Sequence, residues 1–176
     1  MTTELYGPEF FVGRSETVVR SAAVVVPILV DLFHPQSVLD LGCGMGEWLE
    51  AFGLDDVEGV DIAAPEPYLL FDLIHRLDLK RTFDLVLSLE TGEHLPESAA
   101  NTLVNSIVRH SRTVVFSAAV LGQEGKGHIN CQPHEYWHEK FDERGYAMLD
   151  MIRPQLAERY DVSPWYRDNI FAYVAR

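Results

Sequence analysis

Residues 38–48 read VLDLGCGMGEW. A short apolar run stops at Gly42, glycines return at Gly44 and Gly46, and a segment with helical spacing begins at Glu47. That is the pattern of a strand, a tight turn and a helix. Glycines let the backbone of such a turn come close to a ligand, and a helix start offers free N–H groups to an anionic part of it. Nineteen residues beyond Gly42, a second apolar stretch, VEGVDI, reaches Asp61. An acidic side chain at that strand end can accept hydrogen bonds from both hydroxyls of a ribose.

The glycine spacing bears on the ligand. A dinucleotide favours Gly-x-Gly-x-x-Gly, which seats a pyrophosphate on the helix. Here the spacing is Gly-x-Gly-x-Gly, and Asp40 stands two residues before the first glycine. A carboxylate beside the phosphate position repels a pyrophosphate and suits a ligand carrying positive charge. An aminoacyl group and a sulfonium carry such charge, which points to S-adenosylmethionine. A turn that served only strand–helix packing would not need Asp40 and Asp61 in agreement with it.

Outward from this unit, strands alternate with helices. ETVVRSAAVVVPILVDLF precedes it with helical spacing, with Ser15 as its N-cap and a bend expected at Pro27. After it come a third strand, YLLFDL, and a fourth, FDLVLSLE, apolar on both faces as a central parallel strand should be. PESAANTLVNSIVRH is a helix and RTVVFSAAV a fifth strand. A glycine-rich loop, LGQEGKGHINCQ, leads to a helix opened by Pro133 and closed at Gly145. YAMLDMI and NIFAYVAR are the last strands. No long crossover helix separates these two, so one is expected to run antiparallel. The expected fold is α/β: a Rossmann-like seven-stranded sheet, mostly parallel, with one antiparallel strand near the C-terminus and helices on both faces.

The length of 176 residues fits a single domain over 1–176. The net charge of -13 argues against a nucleic-acid partner, because phosphate binding needs clustered Lys and Arg. The N-terminus lacks a basic start followed by an apolar core, and the longest apolar run, Ala22 to Val30, is about half a membrane crossing. Two cysteines make no disulfide framework, so a reduced, cytoplasmic setting is expected.

With these motifs in hand, the chain resembles class I S-adenosylmethionine-dependent methyltransferases over nearly its whole length. VLDLGCGMG is similar to their first motif, GVDI to the acidic end of their second strand, and FDLVLSLETGEHLP to their fourth strand and its loop. SAAVLGQEGKGHIN and WYRDN resemble segments of small bacterial members that act on small molecules. The resemblance implies S-adenosylmethionine as cofactor and S-adenosylhomocysteine as product. It implies that Asp40, Gly42, Cys43, Gly44 and Gly46 surround the methionine part, and that Asp61 holds the ribose with Ile62 against the adenine. Asp72 and Leu73 would sit at the adenine edge, Glu90 and Thr91 beside the methyl group, and Tyr6 over the cofactor. It favours a hydroxyl of a sugar or secondary metabolite as acceptor, with an amine second.

Methyl transfer needs an acceptor aligned opposite the sulfur and, for a hydroxyl, a base with pKa near 7. His94 follows the fourth strand and His128 lies in the loop after the fifth, where an open α/β sheet has its ligand crevice. His128 is the first candidate base, with His94 and Glu93 behind it; loop-fixing or packing roles are the alternatives. Asn130 would orient groups in the same loop. Neither Asn-Pro-Pro-Tyr nor Asp-Pro-Pro-Tyr follows the fourth strand, which argues against methylation of a nucleobase amine. No clear carboxylate set for a magnesium ion is evident, so no metal is expected.

Two other readings compete. A nicotinamide-dependent oxidoreductase is disfavoured by the glycine spacing. A zinc hydrolase is suggested by HEYWH, residues 134–138, which matches His-Glu-x-x-His. Its extended form fails, since Phe141 and Arg144 stand where Gly and His are required; Glu158 is the candidate third ligand. On a helical wheel Tyr136, Trp137 and Phe141 form the buried side, His134 and His138 its border, and Glu135 turns outward.

Overall fold

Strands rich in Val and Leu, buried on both faces, need helices on either side to cover them. The computed structural model, which describes residues 15–176, has this arrangement. Helix α1 (Ser15–Phe33) is followed by β1 (Ser37–Leu41), α2 (Glu47–Phe52), β2 (Asp56–Asp61), β3 (Leu69–Leu70) and β4 (Leu85–Leu89). Two 3-10 turns, Gly92–His94 and Glu97–Ala99, lead into α3 (Ala100–His110) and β5 (Thr113–Ser117). The chain ends with α4 (His134–Asp142), β6 (Tyr146–Leu149), α5 (Arg153–Leu156), α6 (Pro164–Asn169) and β7 (Phe171–Ala175).

The strand order is β3-β2-β1-β4-β5-β7-β6. β1 pairs in parallel with β2 and β4, and β4 with β5. β7 runs antiparallel to both neighbours, β5 and β6, and is the single reversed strand the sequence suggested. The link from β6, residues 150–170, carries only the short α5 and α6 and no long crossover helix of the kind that returns a parallel strand. Side chains alternate between two cores. Leu39, Val86, Val114 and Phe116 face α3 and α4. Val38, Leu85, Leu87 and Val115 face α1, α2, α5 and α6.

Two elements differ from the sequence reading. The third strand is reduced to Leu69–Leu70, because the segment beyond it turns along the cavity described below. Pro96 precedes a 3-10 turn, and α3 itself begins at Ala100. WYRDN lies inside α6, whose Pro164 sits in the first turn. α1 continues through Pro27. None of the described helices is long and apolar enough to cross a membrane.

The order reverses direction between β1 and β4: from β1 the sheet grows through β2 one way and through β4 the other. In an open α/β sheet, the crevice beyond the strand ends at that point is where ligands bind.

Candidate active site

One cavity of about 320 Å³ occupies that crevice. At its β1 end the chain turns through Gly42 and Gly46, both near φ +93, a conformation that costs little only for glycine. A Cβ on Gly42 would lie 2.0 Å from Thr91 Oγ1, and one on Gly46 would lie 2.2 Å from Tyr68. The glycines thus admit the loop after β4 and the segment that leads into β3. The amides of Gly42 and Cys43 donate to the Val60 carbonyl, which ties the turn to β2.

Asp40 is 1% exposed and neither of its oxygens has a hydrogen-bond partner among the described residues. Burial, then the charges of Asp61 and Glu47, push its carboxyl up to about 7. A buried carboxyl without donors is costly, and a positively charged group nearby would offset that cost. The donor set fits the ammonium and sulfonium of S-adenosylmethionine and opposes a pyrophosphate. Asp61 accepts from the amides of Gly44 (3.1 Å) and Ala63 (2.9 Å), which fixes its carboxylate at the end of β2. Burial raises its pKa and those backbone bonds oppose the rise. Gly42, Cys43, Gly44, Asp61 and Ile62 line the cavity; Asp72 and Leu73 close its β3 side. Cys43 is buried and burial pushes its thiol far up, so it is a small residue in a turn and no nucleophile.

The opposite end is built by the loops after β4 and β5. Glu90, Thr91, Glu93, His94 and His128 all line it. Glu90 adopts φ +52, a left-handed conformation uncommon for a side-chain-bearing residue. Its amide donates to the Ser117 carbonyl, and its Oε2 accepts from Gln123 Nε2 at 2.8 Å. Glu93 is wholly buried. Its backbone carbonyl accepts from the amides of Ile129 and Asn130, so the two loops are latched together. Asn130 is buried; its side chain donates to the Gly92 carbonyl in the loop after β4 and accepts from Gln132 in its own loop. The rings of His94 and His128 meet edge to face at 4.9 Å, and His128 Nε2 lies 4.0 Å from Glu93 Oε1. Burial raises both carboxyls, Glu90 to about 7 and Glu93 well above its ordinary value; for Glu93 the charge of Glu90 adds to the effect.

Fourteen of the fifteen residues expected at the site thus fall at or beside one crevice. Asp40 and Gly46 support its wall rather than line it. Tyr6 lies outside the described residues. Sequence reasoning did not single out Gln123, nor the edge-to-face pair Trp48–Tyr166 on the wall. Gln123 carried no signal of its own, being one polar residue in a polar loop.

HEYWH lies on α4, outside this cavity, with the burial the wheel suggested: Trp137 and Phe141 buried, Tyr136 half-buried, Glu135 exposed. A Cβ on Gly92 would meet Trp137 at 2.7 Å, so this helix packs directly under the turn that carries Glu93 and His94. His134 Nε2 bonds Asn169 Oδ1 at 3.0 Å, and His138 Nδ1 bonds the Tyr173 hydroxyl at 2.5 Å. Among the described residues no third His, Cys or carboxylate joins them, and Glu158 is exposed.

The chain belongs to a methyltransferase family: residues 20–117 match the model described as "Methyltransferase domain". No curated protein matches it. Among solved structures, it is similar to Streptomyces venezuelae DesVI (15% identity, TM-score 0.68, 100% of this chain and 99% of that one). It is similar to CalS10 with bound SAM (S-adenosylmethionine), an amino pentose methyltransferase from Micromonospora echinaspora (16%, TM-score 0.69, 93% and 94%). It is also similar to magnesium protoporphyrin IX methyltransferase from Synechocystis with bound SAM (19%, TM-score 0.63, 99% and 89%).

Proposed function

We propose that this protein, as a single domain in the cytoplasm, transfers a methyl group from S-adenosylmethionine to a small molecule. The favoured acceptor is a hydroxyl of a sugar or secondary metabolite. The observation that carries the reading is one cavity, with a backbone-fixed Asp61 at one end, a buried Asp40 behind it that has no partner among the described residues, and His128 beside Glu93 at the other end. The net charge of -13 supports a small molecule over a nucleic acid.

S-adenosylmethionine supplies the methyl group on a sulfonium sulfur. Asp40 offsets the positive end of the cofactor, Asp61 accepts from the ribose hydroxyls, and Ile62 with Leu73 gives the adenine an apolar bed. At the far end, His128 Nδ1 donates to the Gln123 carbonyl at 3.0 Å. A carbonyl only accepts, so the lone pair stands on Nε2, the nitrogen that faces Glu93. Activation of the acceptor turns on that lone pair: a hydroxyl beside it gives its proton to Nε2. The half-buried position and the latched loops keep water from competing for the methyl group.

Calorimetry with S-adenosylmethionine, NADH and zinc tests the class of ligand. Tight binding of S-adenosylmethionine supports the reading; binding of NADH in its place, or of zinc while S-adenosylmethionine fails to bind, overturns it. Transfer of a labelled methyl group to a panel of hydroxylated sugars and of amines then assigns the acceptor atom. Labelling confined to the amines would overturn the hydroxyl assignment.

A further inference from the structure

We propose that Glu93, His94 and His128, with Glu90 beside them, form a site for one divalent transition-metal ion at the acceptor end of the cavity. The ligand atoms of the first three lie within 4.8 Å of one another. Tetrahedral ligands ~2.1 Å from an ion lie ~3.4 Å apart, so a pair at the upper limit would close by ~1.4 Å on binding.

Glu93 carries the inference. It is 0% exposed, it lines the cavity, and neither oxygen has a hydrogen-bond partner of ordinary geometry among the described residues. The Ala119 amide and the Glu90 carboxyl are close enough to influence its charge. Glu90 presents a second such atom. Its Oε2 is held by Gln123, while its Oε1 is buried with no partner of ordinary geometry among the described residues. Two buried carboxylates side by side repel each other, and three of their four oxygens lack a donor of ordinary geometry among the described residues, an arrangement that a cation repairs.

The imidazoles are oriented for the same purpose. His128 Nδ1 donates to the Gln123 carbonyl and His94 Nδ1 to the Gly127 carbonyl at 3.2 Å. Both lone pairs therefore stand on Nε2, as when a backbone carbonyl fixes the tautomer of a ligating histidine. Cys131 Sγ lies 3.8 Å from His128 Nδ1, on the side away from Nε2. Gln123 serves the cluster twice, through its carbonyl and through its side chain. That side chain is in turn held by Asn169 Nδ2 at 2.8 Å, and Asn169 by His134. The chain of bonds from α4 to Glu90 gives His134 and Asn169 a positioning task behind the site.

Two imidazoles with carboxylates suit Mn²⁺, Fe²⁺, Co²⁺ or Zn²⁺ over Mg²⁺ or Ca²⁺, which favour all-oxygen sets. The site rests on the methyltransferase reading for its use and not for its existence. With the ion bound, His128 is a ligand and not a base. The ion would polarise the acceptor oxygen and lower the pKa of its hydroxyl, whose proton would pass to the Glu90 carboxylate as the methyl group leaves sulfur for oxygen.

The test is titration of the chelator-treated full chain with MnCl₂, followed by calorimetry and by the Mn²⁺ electron paramagnetic resonance signal. One ion per chain is expected. Glu93→Gln and His128→Ala should abolish binding, and Gln123→Ala should weaken it ~10–100-fold. His138→Ala should leave it unchanged. Affinity for S-adenosylmethionine, measured on the same samples, shows that each variant is folded. No Mn²⁺ binding at millimolar concentration, or binding that survives in both Glu93→Gln and His128→Ala, overturns the site. If S-adenosylmethionine still binds in that case, the methyltransferase reading stands with His128 as base. If Mn²⁺ binds and S-adenosylmethionine does not, the site stands and that reading falls.

Discussion

The molecule holds two pairs of histidines, and they have opposite fates. His134 and His138 are one helical turn apart in a sequence that reads as a metal motif. Each has given a nitrogen to a polar partner, Asn169 and Tyr173, and no carboxylate among the described residues joins them to complete a metal site. His94 and His128 are thirty-four residues apart and match no motif. They meet at 4.9 Å beside the most deeply buried carboxyl of the cavity. Spacing along a helix makes two side chains neighbours. What surrounds them decides whether they are ligands, bases or props.

The contrast can be broken by mutation. The largest effect is expected for His128→Ala, where turnover should fall ~100-fold or more while affinity for S-adenosylmethionine changes only a few-fold. Wild-type turnover in that variant would remove the distinction between the pairs. His134→Ala reaches Glu90 only through Asn169 and Gln123. It should lower turnover by ~10-fold at most, with cofactor affinity unchanged, and a loss equal to that of His128→Ala would make the pairs equivalent. His138→Ala removes one hydrogen bond, worth ~1 kcal/mol. Melting should drop by ~2–4 °C with turnover intact.

A buried group without a partner offers a finer version of the same contrast. Asp40 has its pKa raised from 3.8 to about 7, with Asp61 and Glu47 as the facing charges, and Cys43 and Tyr166 neutral nearby. A raised carboxyl pKa favours the folded state below pH 3.8, and that contribution is lost as the pH rises through 7. Each tenfold change in a protonation equilibrium corresponds to ~1.4 kcal/mol. Ligand-free protein should therefore melt lower at pH 8 than at pH 5, and Asp40→Asn should flatten that slope while weakening S-adenosylmethionine by ~10-fold. Glu90 and Glu93, raised in the same direction, leave a residual slope in the variant. An unchanged slope in Asp40→Asn would show that Asp40 is not the partner-seeking group.

How much of this was legible follows from locality. The cofactor end lies on one strand–turn–helix unit and the next strand end, so Asp40, Gly42 and Asp61 could be read together. The single reversed strand was legible as well, from the absence of a long crossover helix between β6 and β7. The extent of β3 was not, since its residues are as apolar as those of a full strand and only the course of the neighbouring chain shortens it. At the acceptor end, His128, His94 and Glu93 could be named one by one as residues after strand ends. Their convergence could not, because it depends on the Glu93 carbonyl holding the amides of Ile129 and Asn130. Gln123 was invisible for the same reason.

The sequence by itself determined the alternation of strands and helices, a ligand crevice beyond the strand ends, and a glycine turn guarded by a carboxylate. Those are properties of short stretches, governed by periodicity and by backbone freedom. Only the tertiary structure decided which histidines face carboxyls and which are tied to hydroxyls and amides. A hydrogen bond joins residues that packing brings together, and along the chain Asn169 stands thirty-five positions from His134 and forty-six from Gln123.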